Sequence, residues 1–183
     1  MRFFLHYLAR PRFVGAVAPS SRFLARKMVK PIDFEKARCV VEFGPGTGVF
    51  TDEILRRRRA ETVVVAIERD AHFSALLQKK YAGMENVHII NGSAEHVGVY
   101  LAQREIAQAD YIVSGLPFAS LPPEASQRIL TQARAFLHKD GRFVTFQYSM
   151  YRRAFIAGFF DSIEITREFR NLPPAYVFSC SYN

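Results

Sequence analysis

Val40-Val41-Glu42-Phe43-Gly44-Pro45-Gly46-Thr47-Gly48 is the stretch from which the rest of the chain is read. An apolar run closes on a carboxylate, three glycines follow at every second position, and a helix-like pattern begins at Val49. Glycines at this spacing let a backbone turn tightly and approach a ligand with no Cβ in the way. The carboxylate two residues before the first glycine is placed to accept hydrogen bonds from whatever lies above the turn. A nicotinamide or flavin fingerprint would need a glycine at position 49, where valine stands. A phosphate-binding loop would end Gly-Lys-Ser/Thr, and no such ending follows.

Downstream, two periodicities alternate. Short apolar runs predict strands over Cys39–Phe43, Thr62–Ile67, Val87–Ile90, Tyr111–Val113 and Arg142–Gln147. Helical patterns separate them over Val49–Arg59, Ala71–Ala82 and about Glu95–Ile106. Pro122 and Pro123 open another helix, where prolines are tolerated, and Ile129, Leu130, Ala133, Phe136 and Leu137 form its inward face. Gly141 is read as its stop. A helix near Met150–Phe159 and strands over about Ser162–Phe169 and Tyr176–Tyr182 follow. The alternation implies an α/β fold with a mostly parallel sheet and helices on both faces. Ligands of such sheets bind beyond the carboxyl ends of the strands. The candidates are therefore Glu42 to Gly48, Glu68 with Arg69, Asn91-Gly92-Ser93-Ala94, Ser114 to Phe118, and Tyr148. The run Arg56–Arg59 falls in the last turn of a helix, where cations complement the helix dipole.

Upstream, residues 1–32 hold seven Arg and Lys and no Asp or Glu. Residues 2–10 form a candidate helix with Arg2, His6 and Arg10 on one face and aromatic and aliphatic residues over the rest. That pattern suits a helix lying in a membrane interface, or one packed on the domain with its basic arc in water. Pro19-Ser20-Ser21 reads as the cap of a helix over about Arg22–Val29. We divide the chain into a basic amphipathic segment, 1–32, and a domain, 33–183. At 183 residues and 49% hydrophobic, the sequence can bury a full core, and disorder is not expected. No apolar run approaches the roughly 18 residues that span a bilayer. The net charge of +8 points to nucleic acid or an anionic membrane surface as partner. Two cysteines, Cys39 and Cys180, fall in predicted strands and suit buried thiols in a reducing cytoplasm.

The acid followed by Gly-x-Gly-x-Gly resembles the opening motif of class I S-adenosylmethionine-dependent methyltransferases. That resemblance implies a Rossmann-like seven-stranded sheet, order 3-2-1-4-5-7-6, with strand seven antiparallel and an N-terminal amphipathic helical extension. It implies S-adenosyl-L-methionine as cofactor, S-adenosyl-L-homocysteine as product, and no metal. By the same likeness Glu42 lies near the methionine end, and Gly44, Pro45, Gly46, Thr47 and Gly48 form the turn beneath it. Glu68 takes the ribose hydroxyls with Arg69 beside it, and Ser114 borders the cofactor. Ser93 and Ala94 meet the adenine where the family usually places an acid.

Ser114-Gly115-Leu116-Pro117-Phe118 resembles the Asn-Leu-Pro-Phe/Tyr motif of amino-methylating enzymes, among them ribosomal RNA adenine dimethyltransferases. Gly115 stands where the amine-orienting Asn would be, so the side chain that holds a planar base is missing while the carbonyls and the aromatic remain. These remnants suit an alkylamine. Phe118 faces a methylated ammonium by cation–π attraction, or plugs the core beneath the loop. Tyr148 is a candidate second wall.

Three stretches together resemble bacterial phospholipid N-methyltransferases: Gly15 to Arg22, Ser114 to Phe118 with Leu121-Pro122, and Asn171-Leu172-Pro173-Pro174-Ala175-Tyr176. The resemblance implies stepwise methylation of phosphatidylethanolamine toward phosphatidylcholine. Gly115, Leu116, Phe118 and Tyr148 would surround the reacting amine, and Ser20, Pro117, Arg152, Arg153, Asn171 and Pro173 would bind the substrate. The loop at Asn171 walls the substrate or is a rigid turn; the arginines bind the lipid phosphate or are solvated. The enzyme would be cytoplasmic, held peripherally on the inner face of the membrane by its basic leading helix. Nucleic acid is then not expected as a partner. The alternatives are a nucleic-acid adenine methyltransferase and a non-catalytic binding protein on the same scaffold.

Overall fold

Ser21 starts the first helix by accepting the Leu24 amide on its Oγ at 3.2 Å, so the predicted serine cap is present. The computed structural model of the chain describes residues 21–182. The candidate helix over 2–10, Ser20 and most of the motif over 15–22 lie outside them.

In chain order the elements are α1 (Arg22–Val29), β1 (Cys39–Phe43), α2 (Val49–Arg57), β2 (Val63–Glu68), α3 (Ala71–Lys80) and β3 (Val87–Asn91). A 3-10 turn (Ala94–His96) leads into α4 (Val97–Ala102), then β4 (Ala109–Ser114), α5 (Pro123–Phe136) and β5 (Leu137–Gln147). The chain closes with α6 (Arg153–Ala157), β6 (Ser162–Glu168) and β7 (Ala175–Ser181). All seven strands form one sheet in the order β3-β2-β1-β4-β5-β7-β6. Neighbours from β3 through β5 are parallel, while β7 runs antiparallel to both β5 and β6. Strand β6 therefore points the same way as β1 to β5, and the β6–β7 connection emerges at the carboxyl ends of the parallel strands. The expected fold is present.

Both faces of the sheet are covered, which is why its strands read as near-continuous apolar runs. Val40, Val64, Val113, Val144 and Val177 face α1 and α2, packing on Leu24, Met28, Phe50 and Ile54. Their alternates Val41, Val65, Ile112, Phe143 and Phe178 face the other layer with Leu101, Ile129, Leu130 and Ile156. Leu24, Ala25, Met28 and Val29 are buried in this sheet-wide core, so the described part of the leading segment packs against the sheet.

Two boundaries differ from expectation for a physical reason. Helix α5 ends at Phe136, and the chain enters β5 at Leu137, which pairs with Ala109. Leu137 is thus a strand residue, and Gly141 is not a helix stop. Gly141 sits within β5 beside a register shift, where a Cβ would come within 2.5 Å of the Asp110 carbonyl. The helix expected near Met150–Phe159 is reduced to Arg153–Ala157. The arginine run over 56–59 is occupied locally: Arg56 and Arg57 pair with Glu53, and Arg58 donates to the Thr62 and Glu85 carbonyls. No helix among the described residues is long and apolar enough to cross a membrane.

Candidate active site

The turn after β1 is built by three glycines with positive φ, Gly44 (66°), Gly46 (56°) and Gly48 (85°). The Gly44 amide continues the sheet by donating to the Ile67 carbonyl at 3.0 Å. A Cβ on Gly44 would stand 2.7 Å from Leu116 Cδ2, and one on Gly48 would stand 2.5 Å from the Tyr81 hydroxyl. Those two glycines are required by close packing. Gly46 is different. A Cβ there would meet nothing within 4 Å, so its bare face opens onto the space above the turn. Pro45 is buried beneath, and Thr47 is exposed.

Two acids flank this space. Glu42 is fully buried; its Oε2 accepts from Thr51 Oγ1 at 2.6 Å, and its Oε1 has no hydrogen-bond partner. Burial pushes its carboxyl up to about 8; the Thr51 hydrogen bond opposes this, while the negative charges of Glu68 and Asp52 add to it. A buried carboxyl oxygen without a partner fits a ligand that brings a cationic donor, such as an amino group, whose charge would favour the ionised acid. Glu68 closes β2 and ties the turn to α3: Oε2 accepts the Gly46 amide and Oε1 the Asp70 amide, both at 2.9 Å. Asp70 in turn caps α3 by accepting the His72 and Phe73 amides. Each Glu68 oxygen keeps further lone-pair capacity toward a bound diol. Arg69 is exposed beside it. Past β3, Ser93 caps the 3-10 turn, accepting the Glu95 amide at 3.3 Å and lying 3.4 Å from Glu95 Oε1, with Ala94 buried behind. The donor set from Glu42 through Gly48, Glu68 and Ser93 thus lines one edge, at the carboxyl ends of β1, β2 and β3, and its chemistry fits S-adenosylmethionine.

The fourth and fifth strands end beside it. Ser114 is buried, with its carbonyl accepting Thr145 Oγ1 at 3.2 Å and its hydroxyl accepting the Leu116 amide at 3.3 Å. Gly115 donates its amide to the Phe43 carbonyl at 2.8 Å, and a Cβ on it would lie 2.7 Å from the Gly44 carbonyl. Position 115 therefore carries no side chain because the acceptor loop is sutured to the glycine turn. The Leu116 carbonyl accepts Gln147 Nε2 at 3.5 Å, and Pro117 accepts the amides of Ser120 and Leu121.

Phe118 is a correction. Its ring is fully buried in the core, 6.3 Å from that of Phe143, and so does not stand on the rim as a wall. A large aromatic after a tight loop finds more contact beneath the loop than above it. Tyr148 is on the rim, partly exposed, with its ring edge-on to Phe146 at 5.5 Å. Arg152 lies with its guanidinium over the rings of Tyr151 and Phe155, its Nε buried without a hydrogen bond, and Arg153 is exposed. Asn171 is buried rather than lining an opening: Oδ1 accepts the Ser21 amide at 3.0 Å and Nδ2 donates to the Pro173 carbonyl at 2.8 Å. Only Pro173 of that pair is exposed.

Two residues escaped the sequence reading. Thr51, one helical turn into α2, holds Glu42, and Gln147 holds the Leu116 carbonyl. Gln147 had a signal, being a buried polar residue that closes the apolar strand Phe143-Val144-Thr145-Phe146.

Comparison with known proteins agrees with this geometry. Residues 20–157 match the ribosomal RNA adenine dimethylase family. An ornithine lipid N-methyltransferase of Singulisphaera acidiphila is 38% identical over 181 residues, covering 98% of this chain and 92% of that protein. A probable ribosomal RNA small subunit methyltransferase A of Pyrococcus furiosus is 33% identical over 97 residues, covering 53% of this chain and 32% of its own length. Among solved structures, a putative O-methyltransferase from Klebsiella pneumoniae superposes with a TM-score of 0.69 over 98% of this chain and 88% of its own, at 13% identity.

Proposed function

The chain belongs to the ribosomal RNA adenine dimethylase family of S-adenosylmethionine-dependent methyltransferases, and on that premise we propose that its methyl acceptor is the amine of a membrane lipid. The observation that carries this reading is Gly115. The Gly44 carbonyl occupies the approach that a side chain at 115 would need, so no amide can reach out to hold a planar base. What remains at the end of β4 is backbone: the Gly115 carbonyl, beside a Leu116 carbonyl that already accepts the Phe118 amide and Gln147 Nε2. Carbonyls suit an ammonium or a neutral alkylamine, which needs acceptors but no coplanar partner.

When bound, S-adenosylmethionine supplies a methyl group on a cationic sulfur. The residues present would hold it through Glu42, the open face at Gly46, Glu68, and Ser93 with Ala94. The amine must lose its proton to react. With a lysine-like pKa of about 10.4, roughly one molecule in a few thousand is neutral at pH 7. Confinement beside a positive charge lowers that value, so positioning rather than a dedicated base carries the step. Tyr148 would border the bound headgroup, and exposed Arg153, with Arg152 stacked on Tyr151 and Phe155 beside it, would meet a lipid phosphate.

Phosphatidylethanolamine, methylated stepwise toward phosphatidylcholine, is the acceptor we favour. Ornithine lipid is the second, supported by the near-full-length likeness to an ornithine lipid N-methyltransferase. Both present a primary amine at a bilayer surface. The protein with methyl-labelled cofactor should label phosphatidylethanolamine or ornithine lipid in vesicles. Label appearing only in undermethylated ribosomal RNA would sink the lipid reading.

A further inference from the structure

The connections β5–α6 (Tyr148 to Arg152) and β6–β7 (Phe169 to Pro174) leave the sheet side by side. Tyr176 is paired with Gln147 on one flank and Arg167 on the other, which fixes both connections at the carboxyl edge, next to the acceptor loop. Their tips are apolar and in water: Tyr151 is 76% exposed, Phe169 68% and Leu172 76%. A cluster of large apolar side chains at such exposure marks an interaction surface more often than chance scatter does.

Its charge has one sign. No acid occurs from Gly141 to Phe160 or from Phe169 to Asn183. Glu168, at the base of the second connection, is buried and neutralised by Arg170 and Lys27, which hold its carboxyl down at about 2. Arginines are stacked against the aromatics rather than paired away: Arg167 over Phe169 and Tyr176, Arg152 over Tyr151. The acid-free leading sequence joins the described residues at Ser21, which is hydrogen-bonded into the same β6–β7 connection.

We propose that these two loop tips form a docking surface for an anionic lipid bilayer, on which Phe169, Leu172 and Tyr151 enter the interface and Arg153 and Arg167 meet the headgroups. Tyrosine, phenylalanine and leucine with flanking arginines are what a headgroup boundary selects, the rings below and the guanidinium groups level with phosphate. The edge that carries the site then faces the membrane. This rests on the lipid-acceptor reading for its purpose, and it adds a membrane contact separate from residues 1–10.

The chain contains no tryptophan, so Leu172→Trp places a single tryptophan, excited apart from the tyrosines, at the tip of the full-length protein. Its emission should shift to the blue with phosphatidylglycerol vesicles and be quenched by brominated acyl chains. Leu76→Trp, on α3 and also exposed, should do neither. Arg167→Gln should weaken binding to anionic vesicles about five-fold, the loss of about 1 kcal/mol. The double variant Phe169→Ser with Leu172→Ser should lose methyl transfer on vesicles and retain it on detergent-dispersed lipid. Unchanged Leu172→Trp emission while the protein sediments with vesicles overturns the docking surface. So does a response to RNA with none to vesicles. If the tryptophan inserts but no lipid is ever methylated, the docking stands and the lipid-acceptor reading falls.

Discussion

Glu42 shows how one buried oxygen ties stability to ligand binding. Its carboxyl, raised to about 8, stays protonated in the folded chain while the unfolded chain ionises near 4.5. Stability from this residue is full below about 4.5 and is lost as pH rises toward about 8, because folding then requires taking up a proton. Relative to Glu42→Gln, the ligand-free wild type should therefore lose melting temperature across that window. Parallel melting curves for the two proteins would contradict a buried, uncompensated carboxyl. Gly115→Ala tests the suture between the two loops. Its methyl would meet the Gly44 carbonyl at 2.7 Å, so denaturant melts should show a loss of about 1–3 kcal/mol together with weakened cofactor binding. At this scale the sequence was only half legible. Gly115 read as a missing asparagine, whereas its physical cause is a backbone contact from 71 residues away in the chain. The fate of Phe118, above or below its loop, is a matter of packing that no local pattern encodes.

Helix α1 is fastened to the end of β6 and the β6–β7 connection by three different contacts. Ser21 donates to Asn171, Lys27 donates to the Arg167 carbonyl at 2.6 Å, and Arg170 stacks over Phe23 at 4.4 Å while pairing with Glu168. Glu168 is the shared node, and its depressed carboxyl gives stability that is present above about 4.5 and lost as pH falls toward about 2. Glu168→Gln should lower the melting temperature at pH 7, with the gap to wild type narrowing as acid is added. Hydrogen exchange over Arg22–Val29 should quicken in the same variant; unchanged protection would show that the clamp does not hold the helix. Elements were more legible than residues, because strand and helix periods are local. The misplaced start of β5 shows where that ends. His138-Lys139-Asp140-Gly141 has the composition of a turn, yet those residues are strand because Leu137 pairs with Ala109 on a distant segment.

For the molecule as a whole, the parallel sheet could be read in advance from the alternating pattern, and the strand order and the cofactor from the likeness of the glycine turn to class I methyltransferases. The arrangement of the loop after β4 could not, because it is held by backbone carbonyls and by polar side chains such as Gln147 whose partners lie on other strands. The molecule joins a cofactor edge to an adjoining acceptor loop without an amide clamp, bordered by aromatic and arginine-rich tips. On the proposal made above, that combination suits a lipid amine better than a planar base. Mass spectrometry of total lipids from cells that make phosphatidylethanolamine but no methylated lipids, before and after expression of this chain, tests the claim most directly. The prediction is a ladder of phosphatidylethanolamine or ornithine lipid species rising by successive single methyl increments, abolished by Gly115→Ala. Unchanged lipids alongside newly dimethylated adenines in ribosomal RNA would contradict it.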